Sequence, residues 1–242
     1  MLPEQFCVRM KEMLGEEYAA FYASYDLPKY QALRINPLKT ERDTFLLQAP
    51  FSLNRVPCTT NGYYYSGNDQ PGRHPYHEAG VYYIQEPSAM APAEYLMAEP
   101  GERILDLCAA PGGKSSQIAC SMQGEGLIVC NEIHPARAKI LSENIERMGV
   151  CNALVTNETP QKLSDNFREY FDRILVDAPC SGEGMFRKNE DACDEWSPEN
   201  VENCAARQAE ILDCAAEMLK PGGRLVYSTC TFAPTENEGS IS

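Results

Sequence analysis

From residue 103 to residue 122 the chain reads RILDLCAAPGGKSSQIACSM: an apolar run, a turn of small residues and an amphipathic stretch. The first part predicts a buried strand over 103–108, and the last part predicts a helix over 113–122. The alternation continues, with strands predicted at 126–131, 153–156, 171–177 and 223–228 and helices at 135–148 and 198–219. Because apolar strands that alternate with amphipathic helices form a parallel sheet covered on both faces, we predict a doubly wound, mainly parallel, Rossmann-like α/β fold.

The sequence changes character near residue 75. Before it, apolar residues at helical spacing predict helices over 4–22 and around 45–47, and glycine and proline turns crowd 61–72. We therefore predict a small α/β module at 1–75 and a larger domain at 76–242, with a helix over 85–97.

Basic and aromatic residues are interleaved in the small module: Lys29, Arg34, Lys39, Arg42, Arg55 and Arg73 with Tyr25, Tyr30, Phe51, Tyr63, Tyr64 and Tyr65. This module is the candidate contact for a polyanion, and a solvated surface with ordinary core tyrosines is the alternative.

Composition excludes several classes of protein. The net charge of −14 argues against a protein that grips nucleic acid over its whole surface, and most of the excess negative charge lies after residue 98. With no signal peptide and no run of about 18 apolar residues, we expect a soluble, cytoplasmic protein without membrane contact. The eleven cysteines include no Cys-x-x-Cys pair, and the three histidines have no metal-ligand spacing. We expect reduced thiols and no metal.

The turn after the first predicted strand of the large domain is the candidate cofactor loop. In doubly wound folds a nucleotide-like cofactor binds there, where small residues let the backbone approach it. Residue 108 is cysteine, which excludes a P-loop, and no Gly-x-Gly-x-x-Gly is present. Glu132, after the second strand, stands where ribose hydroxyls would be bound. A nucleoside cofactor without phosphates, such as S-adenosylmethionine, fits; the alternative is that Gly112 and Gly113 only permit tight strand-helix packing.

Two cysteines stand just beyond predicted strands. Cys180 ends the sequence Asp-Ala-Pro-Cys after 171–177, and Cys230 ends Ser-Thr-Cys after 223–228. Because ligands bind outside the carboxyl ends of the strands in open α/β sheets, we expect both sulfurs to face one bound molecule. This placement favours thiol chemistry, and an inert buried cysteine is the alternative for Cys230.

These motifs carry a family resemblance. The segments 105–115, 131–132, 177–184 and 227–232 resemble the motifs of the NOL1/NOP2/Sun family of RNA cytosine-C5 methyltransferases. The similarity extends to 34–39 and 80–90, and the bacterial 16S rRNA branch matches best. The resemblance implies a class I S-adenosylmethionine-dependent methyltransferase that methylates C5 of a cytosine in RNA, with 16S rRNA or the small ribosomal subunit as its partner.

The resemblance also implies roles for individual residues. Cys230 is the nucleophile that bonds to C6 of the base, and Cys180 assists release, as or through the base that removes the C5 proton. Asp177 serves N3 of the ring, and Lys114 approaches the base edge or keeps a thiolate ionised. On sequence alone, Asp177 could instead cap the following turn and Lys114 could simply be solvated.

The resemblance also implies which residues of this chain contact the cofactor, since each matches a position of the family motifs. The implied residues are Cys108, Ala109, Ala110, Pro111, Gly112, Gly113, Lys114, Glu132, Asn157 and Asp177. Asn157 is a substitute, because relatives often place an aspartate after the third strand, near adenine. The family continues beyond the position of residue 242 with further strands and often a carboxyl-terminal RNA-binding domain, which we expect this chain to lack.

Two other functions remain open at this point. One is a catalytically silent, cofactor-binding assembly factor on RNA. The other is a methyltransferase for a non-RNA acceptor, although the Asn-Pro-Pro-Tyr motif that would hold an amide nitrogen is absent. The sequence does not constrain the oligomeric state.

Overall fold

A computed structural model describes residues 2–189 and 191–241 of the chain. The helices are α1 (Glu4–Leu14), α2 (Tyr18–Ala23), α3 (Arg42–Gln48), α4 (Pro75–Glu78), α5 (Ala91–Leu96), α6 (Gly113–Met122), α7 (Pro135–Met148), α8 (Pro160–Asn166), α9 (Asp191–Glu195) and α10 (Pro198–Met218). The strands are β1 (Ala32–Ile35), β2 (Asn54–Arg55), β3 (Gly62–Tyr64), β4 (Tyr82–Ile84), β5 (Arg103–Asp106), β6 (Leu127–Asn131), β7 (Ala153–Thr156), β8 (Phe171–Asp177) and β9 (Leu219–Ser228).

The chain divides into two compact units. The sheet unit contains residues 30–177 and 213–227, and the helical unit contains the described residues up to 29, from 178 to 212 and from 228 onward. Both units are discontinuous in sequence. The division predicted at residue 75 stays a prediction.

A five-stranded sheet forms the centre of the sheet unit, in the order β7-β6-β5-β8-β9. β5 pairs in parallel with β6 and with β8, and β6 pairs in parallel with β7. Its core is apolar and fully buried, with Ile104, Ile118, Ile128, Leu141 and Leu175 in one cluster. The prediction of a doubly wound, mainly parallel sheet is confirmed.

The sheet unit also contains a small antiparallel sheet in the order β2-β3-β1-β4. Leu33 and Ile35 of β1 pack with Phe45 and Tyr82 in its core. Between them Arg34 is buried, and its guanidinium donates to the Gly113 carbonyl oxygen at 2.9 Å and to Ser116 Oγ at 2.8 Å. The small sheet is therefore tied by hydrogen bonds to the first turn of α6.

The helical unit has an aromatic core. Phe6 and Met10 of α1 pack with Phe186, Trp196 and Val201, and the Phe6 and Phe186 rings meet edge to face with centroids 5.0 Å apart. These apolar residues of α1 follow the helical spacing seen in the sequence. The helix therefore buries one face within this unit.

Several predicted boundaries need correction. The helix predicted over 4–22 is interrupted at Gly15, whose φ of +51° ends α1 before α2 begins. The helix predicted over 85–97 occupies only Ala91–Leu96 as α-helix, because the Gln85 N–H bonds to the Ala32 carbonyl and continues the small sheet. β9 begins at Leu219 instead of residue 223. Within the described residues, no helix is both long and apolar enough to span a bilayer.

Candidate active site

Three carboxylates stand at the carboxyl ends of adjacent strands in the sheet unit. Asp106 ends β5, Asp177 ends β8, and Glu132 follows the last residue of β6. The parallel register aligns Asp106 with Cys130 of β6 and with Leu175 of β8. This edge of the sheet is therefore acidic.

The loop between β5 and α6 is shaped by one glycine and held by α7. Gly112 has a φ of +107°, a region that favours glycine, and a Cβ there would meet Leu141 Cδ1 at 3.2 Å. From α7, Arg137 donates to the Ala110 carbonyl at 3.1 Å and Asn144 donates to the Pro111 carbonyl at 2.8 Å. These contacts fix the backbone of the predicted cofactor loop.

Asp106 is a candidate site residue that the sequence predictions did not include. Its side chain is fully buried and its Oδ2 accepts a 2.6 Å hydrogen bond from Ser115, whereas Oδ1 has no partner among the described residues. Burial raises the pKa of Asp106 to about 7. The signal available in the sequence was its position as a lone acid at the end of an apolar strand.

Cys108 lies in this acidic environment. Burial, reinforced by the negative charges of Asp106, Glu132 and Asp177, raises the pKa of Cys108 to about 12. It is therefore a neutral thiol near pH 7 and not an activated nucleophile. Negative charge in a half-buried site suits a ligand that carries positive charge.

Glu132 and Asn157 are brought together. The Glu132 side chain is 3% exposed, accepts the His134 N–H at 2.9 Å and pairs with Arg137 at 3.3 Å. Asn157 Nδ2 donates to the Glu132 backbone carbonyl at 2.6 Å. Asn157, which stands where relatives often have an aspartate, thus lies beside Glu132, the residue predicted to bind the ribose.

Lys114 and Asp177 form an ion pair. Lys114 Nζ, in the first turn of α6, lies 2.6 Å from Asp177 Oδ2 at the end of β8. The Lys114 side chain is 16% exposed, so this lysine is not a freely solvated one. The two predicted catalytic residues of the sheet unit are therefore in direct contact.

The helical unit brings the two predicted catalytic cysteines together. Cys180 Sγ lies 3.3 Å from Cys230 Sγ, and it also accepts the backbone N–H of Cys230 at 3.3 Å. The hydrogen bond from the Cys230 side chain, with backbone donors from Cys230 and Gly182, lowers the pKa of Cys180 below its ordinary value. Cys230 is exposed, which removes the alternative of an inert buried thiol.

The loops that carry these cysteines are joined backbone to backbone. The Gly184 N–H donates to the Cys230 carbonyl at 2.7 Å, and the Ala178 N–H donates to the Ser228 carbonyl at 2.9 Å. A Cβ at Gly184 would meet the Cys230 carbonyl oxygen at 2.8 Å, closer than real Cβ contacts come. Glycine at 184 thus permits the close approach.

Two family models match almost the whole chain. The model described as 16S rRNA methyltransferase RsmB/F matches residues 93–242, and the model for the N-terminal domain of 16S rRNA methyltransferase RsmF matches residues 2–87. The chain belongs to the RsmB/F family of 16S rRNA methyltransferases. The resemblance inferred from the motifs is confirmed.

Relatives of known sequence or structure agree with this family. The ribosomal RNA small subunit methyltransferase F of Escherichia coli O81 (strain ED1a) is 40% identical over 98% of this chain, which spans about half (52%) of that protein's length. A methyltransferase homolog protein from Pyrococcus horikoshii is 32% identical, with a TM-score of 0.87 over 98% of this chain and 76% of that chain. The crystallised protein PH0851 is 28% identical, with a TM-score of 0.92 over 99% of this chain and 55% of that one.

Within this RsmB/F family chain, no group of histidine, cysteine, aspartate or glutamate side chains in the described part could hold a metal ion. The predicted site residues form two sets, one in each unit. Lys114, Asp177, Glu132 and Asn157 are joined in pairs at the strand ends of the sheet unit, and Cys180 and Cys230 are in contact in the helical unit.

Proposed function

We propose that this chain transfers a methyl group from S-adenosylmethionine to C5 of a cytosine in RNA, with 16S rRNA, free or in the small ribosomal subunit, as substrate. The observation that carries the proposal is the 3.3 Å approach of the Cys180 and Cys230 sulfurs. Two thiols in contact suit a reaction in which one sulfur bonds to the base and the other assists its departure.

The sheet unit fits the proposed cofactor. S-adenosylmethionine carries a positive sulfonium and a positive ammonium group, and the strand ends of this unit carry three carboxylates. One of them, Asp106, has a buried oxygen without a partner among the residues that the structure describes. The residues proposed to hold the cofactor are Cys108, Ala109, Ala110, Pro111, Gly112, Gly113, Lys114, Glu132, Asn157 and Asp177. When bound, the cofactor supplies an electrophilic methyl group to C5.

Cys230 is the proposed nucleophile because it is the exposed member of the pair. Its thiolate adds to C6 of the cytosine, and the electrons of the 5,6 double bond move to C5, which becomes nucleophilic enough to accept the methyl group. A thiolate is required for this step, since a neutral thiol is a poor nucleophile.

Cys180 is proposed to assist release of the methylated base. Cys230, which is exposed, loses its proton to solvent when its sulfur adds to C6. The hydrogen bonds that lower the pKa of Cys180 favour its thiolate, which can accept a proton directly or through water. After methylation the Cys180 thiolate removes the C5 proton in this way, the C5–H electrons restore the 5,6 double bond, the C6–S bond breaks, and Cys230 leaves as a thiolate.

Lys114 and Asp177 are proposed to stabilise charge on the base. Negative charge develops toward N3 and O2 as the thiolate adds, so a preorganised donor lowers the barrier. The 2.6 Å contact between Lys114 and Asp177 fixes both side chains and provides an ammonium proton at the end of β8.

The substrate must present its base outside a stack. C5 and C6 of a paired cytosine are covered by neighbouring bases, so the target is unpaired or extruded from its helix. Folded ribosomal RNA contains such nucleotides.

The direct test is nucleoside mass analysis after incubation with methyl-deuterated S-adenosylmethionine and either 16S rRNA or small ribosomal subunits. We expect deuterated 5-methylcytosine, and none with Cys230→Ser. Binding of the cofactor and RNA without methylation would instead support the silent assembly factor, and label on a protein or small molecule would support another acceptor.

A further inference from the structure

We infer that Glu236 is a positioning residue that fixes the Cys180 sulfur beside the Cys230 sulfur. The inference deepens the proposed function and rests on it for its catalytic meaning. Its structural basis lies wholly within the helical unit.

Glu236 is a fully buried carboxylate placed between the two cysteine loops. It lies six positions after Cys230, in a short 3-10 helix formed by Pro234–Glu236. Its side chain is 0% exposed, and burying a carboxylate is costly unless hydrogen bonds compensate for lost water. A charge kept at that position therefore has specific donors around it.

Two hydrogen bonds to Glu236 come from the loop that carries Cys180. The backbone N–H of Ser181 donates to Oε2 at 2.9 Å, and the Ser181 hydroxyl donates to Oε1. Ser181 is the residue directly after Cys180. Two hydrogen bonds from one residue to one carboxylate fix both its backbone and its side chain, which restricts where the neighbouring Cys180 can lie.

A second layer holds the carboxylate itself. Gln208 of α10 is fully buried, and its Nε2 donates to Glu236 Oε2 at 2.9 Å and to the Pro179 carbonyl at 3.0 Å. The Ser181 and Thr231 hydroxyls are 2.9 Å apart. Residues on both sides of Cys180, and the residue after Cys230, are thus joined to one network centred on Glu236.

The same contacts give a test with a predicted sign. The pKa of Cys180 is lowered mainly by the hydrogen bond from the Cys230 side chain, whereas the negative charge of Glu236 works weakly in the opposite direction. If Glu236→Gln only removed charge, the pKa of Cys180 would fall further. If Glu236 positions the loops, the same substitution separates the sulfurs and the pKa of Cys180 rises.

The experiment measures the thiols without RNA or cofactor, so its result is independent of whether the proposed function holds. Alkylation of Cys180 by iodoacetamide is followed by peptide mass spectrometry across pH, and bridging of Cys180 to Cys230 by dibromobimane reports their proximity. For Glu236→Gln we expect a raised Cys180 pKa and bridging about tenfold slower, the factor that corresponds to one net hydrogen bond. Glu238→Gln, the same change at an exposed position, is the matched control.

A lowered Cys180 pKa with unchanged bridging in Glu236→Gln would overturn the inference. Should this variant fail to fold by circular dichroism, Ser181→Ala removes only one of the two donors and is expected to slow bridging about threefold; unchanged bridging there would equally overturn it. In methyl transfer, Glu236→Gln should lower kcat and leave the KM for RNA unchanged, because a side chain that is 0% exposed cannot itself contact RNA.

Discussion

The backbone N–H of Cys230 donates to Cys180 Sγ at 3.3 Å, the same distance that separates the two sulfurs. Cys180 Sγ therefore contacts Cys230 twice: it accepts a hydrogen bond from the Cys230 backbone N–H, and it lies beside the Cys230 sulfur. This makes the pair asymmetric: the half-buried sulfur of Cys180 is surrounded by donors, and the exposed sulfur of Cys230 is the one available to a substrate. The two identical side chains therefore lie in different environments.

Gly184→Ala tests the close approach of the cysteine loops. The added Cβ would lie 2.8 Å from the Cys230 carbonyl oxygen, so the loop must move. Since a displacement of about 1 Å can cost about 100-fold in rate, we expect single-turnover methyl transfer to fall by roughly that factor. Gly67→Ala, where nothing lies within 4 Å, should leave the rate unchanged. Equal rates for the two variants would show that the approach is not required.

Lys114→Met tests the ion pair at the end of β8. The substitution removes the ammonium 2.6 Å from Asp177, and loss of one preorganised donor typically lowers kcat by about 100-fold. Lys162→Met makes the same change at an exposed lysine paired with Glu158 and should leave kcat unaltered. A full kcat in Lys114→Met would assign this lysine to folding or binding alone.

Asp106→Asn tests the buried acid at the end of β5. The pKa of Asp106 is raised from 3.8 to about 7, so the folded state binds a proton that the unfolded state has lost between these two values. The contribution of Asp106 to the free energy of unfolding is therefore fully present below about pH 4. It is lost as the pH rises to about 7, which lowers the free energy of unfolding by about 4 kcal/mol. Urea unfolding of Asp106→Asn at pH 5 and pH 7.5 should show a smaller loss over that interval than the unsubstituted protein. Identical pH dependence in both proteins would show that Asp106 does not titrate there.

Arg34→Lys tests the link between the small sheet and α6. Lysine cannot reach Gln85, Gly113 and Ser116 together, and it leaves buried acceptors unsatisfied. We expect the free energy of unfolding to fall by about 3 kcal/mol. Arg55→Lys, at an exposed position of β2, should change it by less than about 0.5 kcal/mol. A similar small change at both positions would contradict the role given to Arg34.

The alternation of strands and helices was predictable because it follows from the spacing of apolar residues within each short segment. The segments 113–122, 135–148, 153–156 and 171–177 were predicted with the same limits that the structure shows. The strand-end positions of Asp177 and Glu132 followed from the same pattern, since the edge of a parallel sheet is fixed once its strands are known.

Other features depend on contacts between distant segments and leave no local signal. From sequence alone, an arginine in a strand such as Arg34 is expected to be exposed. Its burial follows only from its partners in α6. Glu236 reads as a surface residue in a polar segment, although Ser181 and Gln208 enclose it. The apolar stripe of α1 predicts that Phe6 is buried, but not that it packs against Phe186 and Trp196.

The proposal that Cys230 is the nucleophile is tested most directly with 16S rRNA that contains 5-fluorocytidine. The fluorine at C5 of this nucleotide cannot be removed as a proton is. Incubated with S-adenosylmethionine, the chain should form a covalent protein-RNA complex, and peptide mass spectrometry should find the nucleotide on Cys230. Cys180→Ala should accumulate the same adduct with ordinary RNA, and Cys230→Ala should form none. Attachment at Cys180, or 5-methylcytosine formation by Cys230→Ala, would contradict the assignment of the nucleophile.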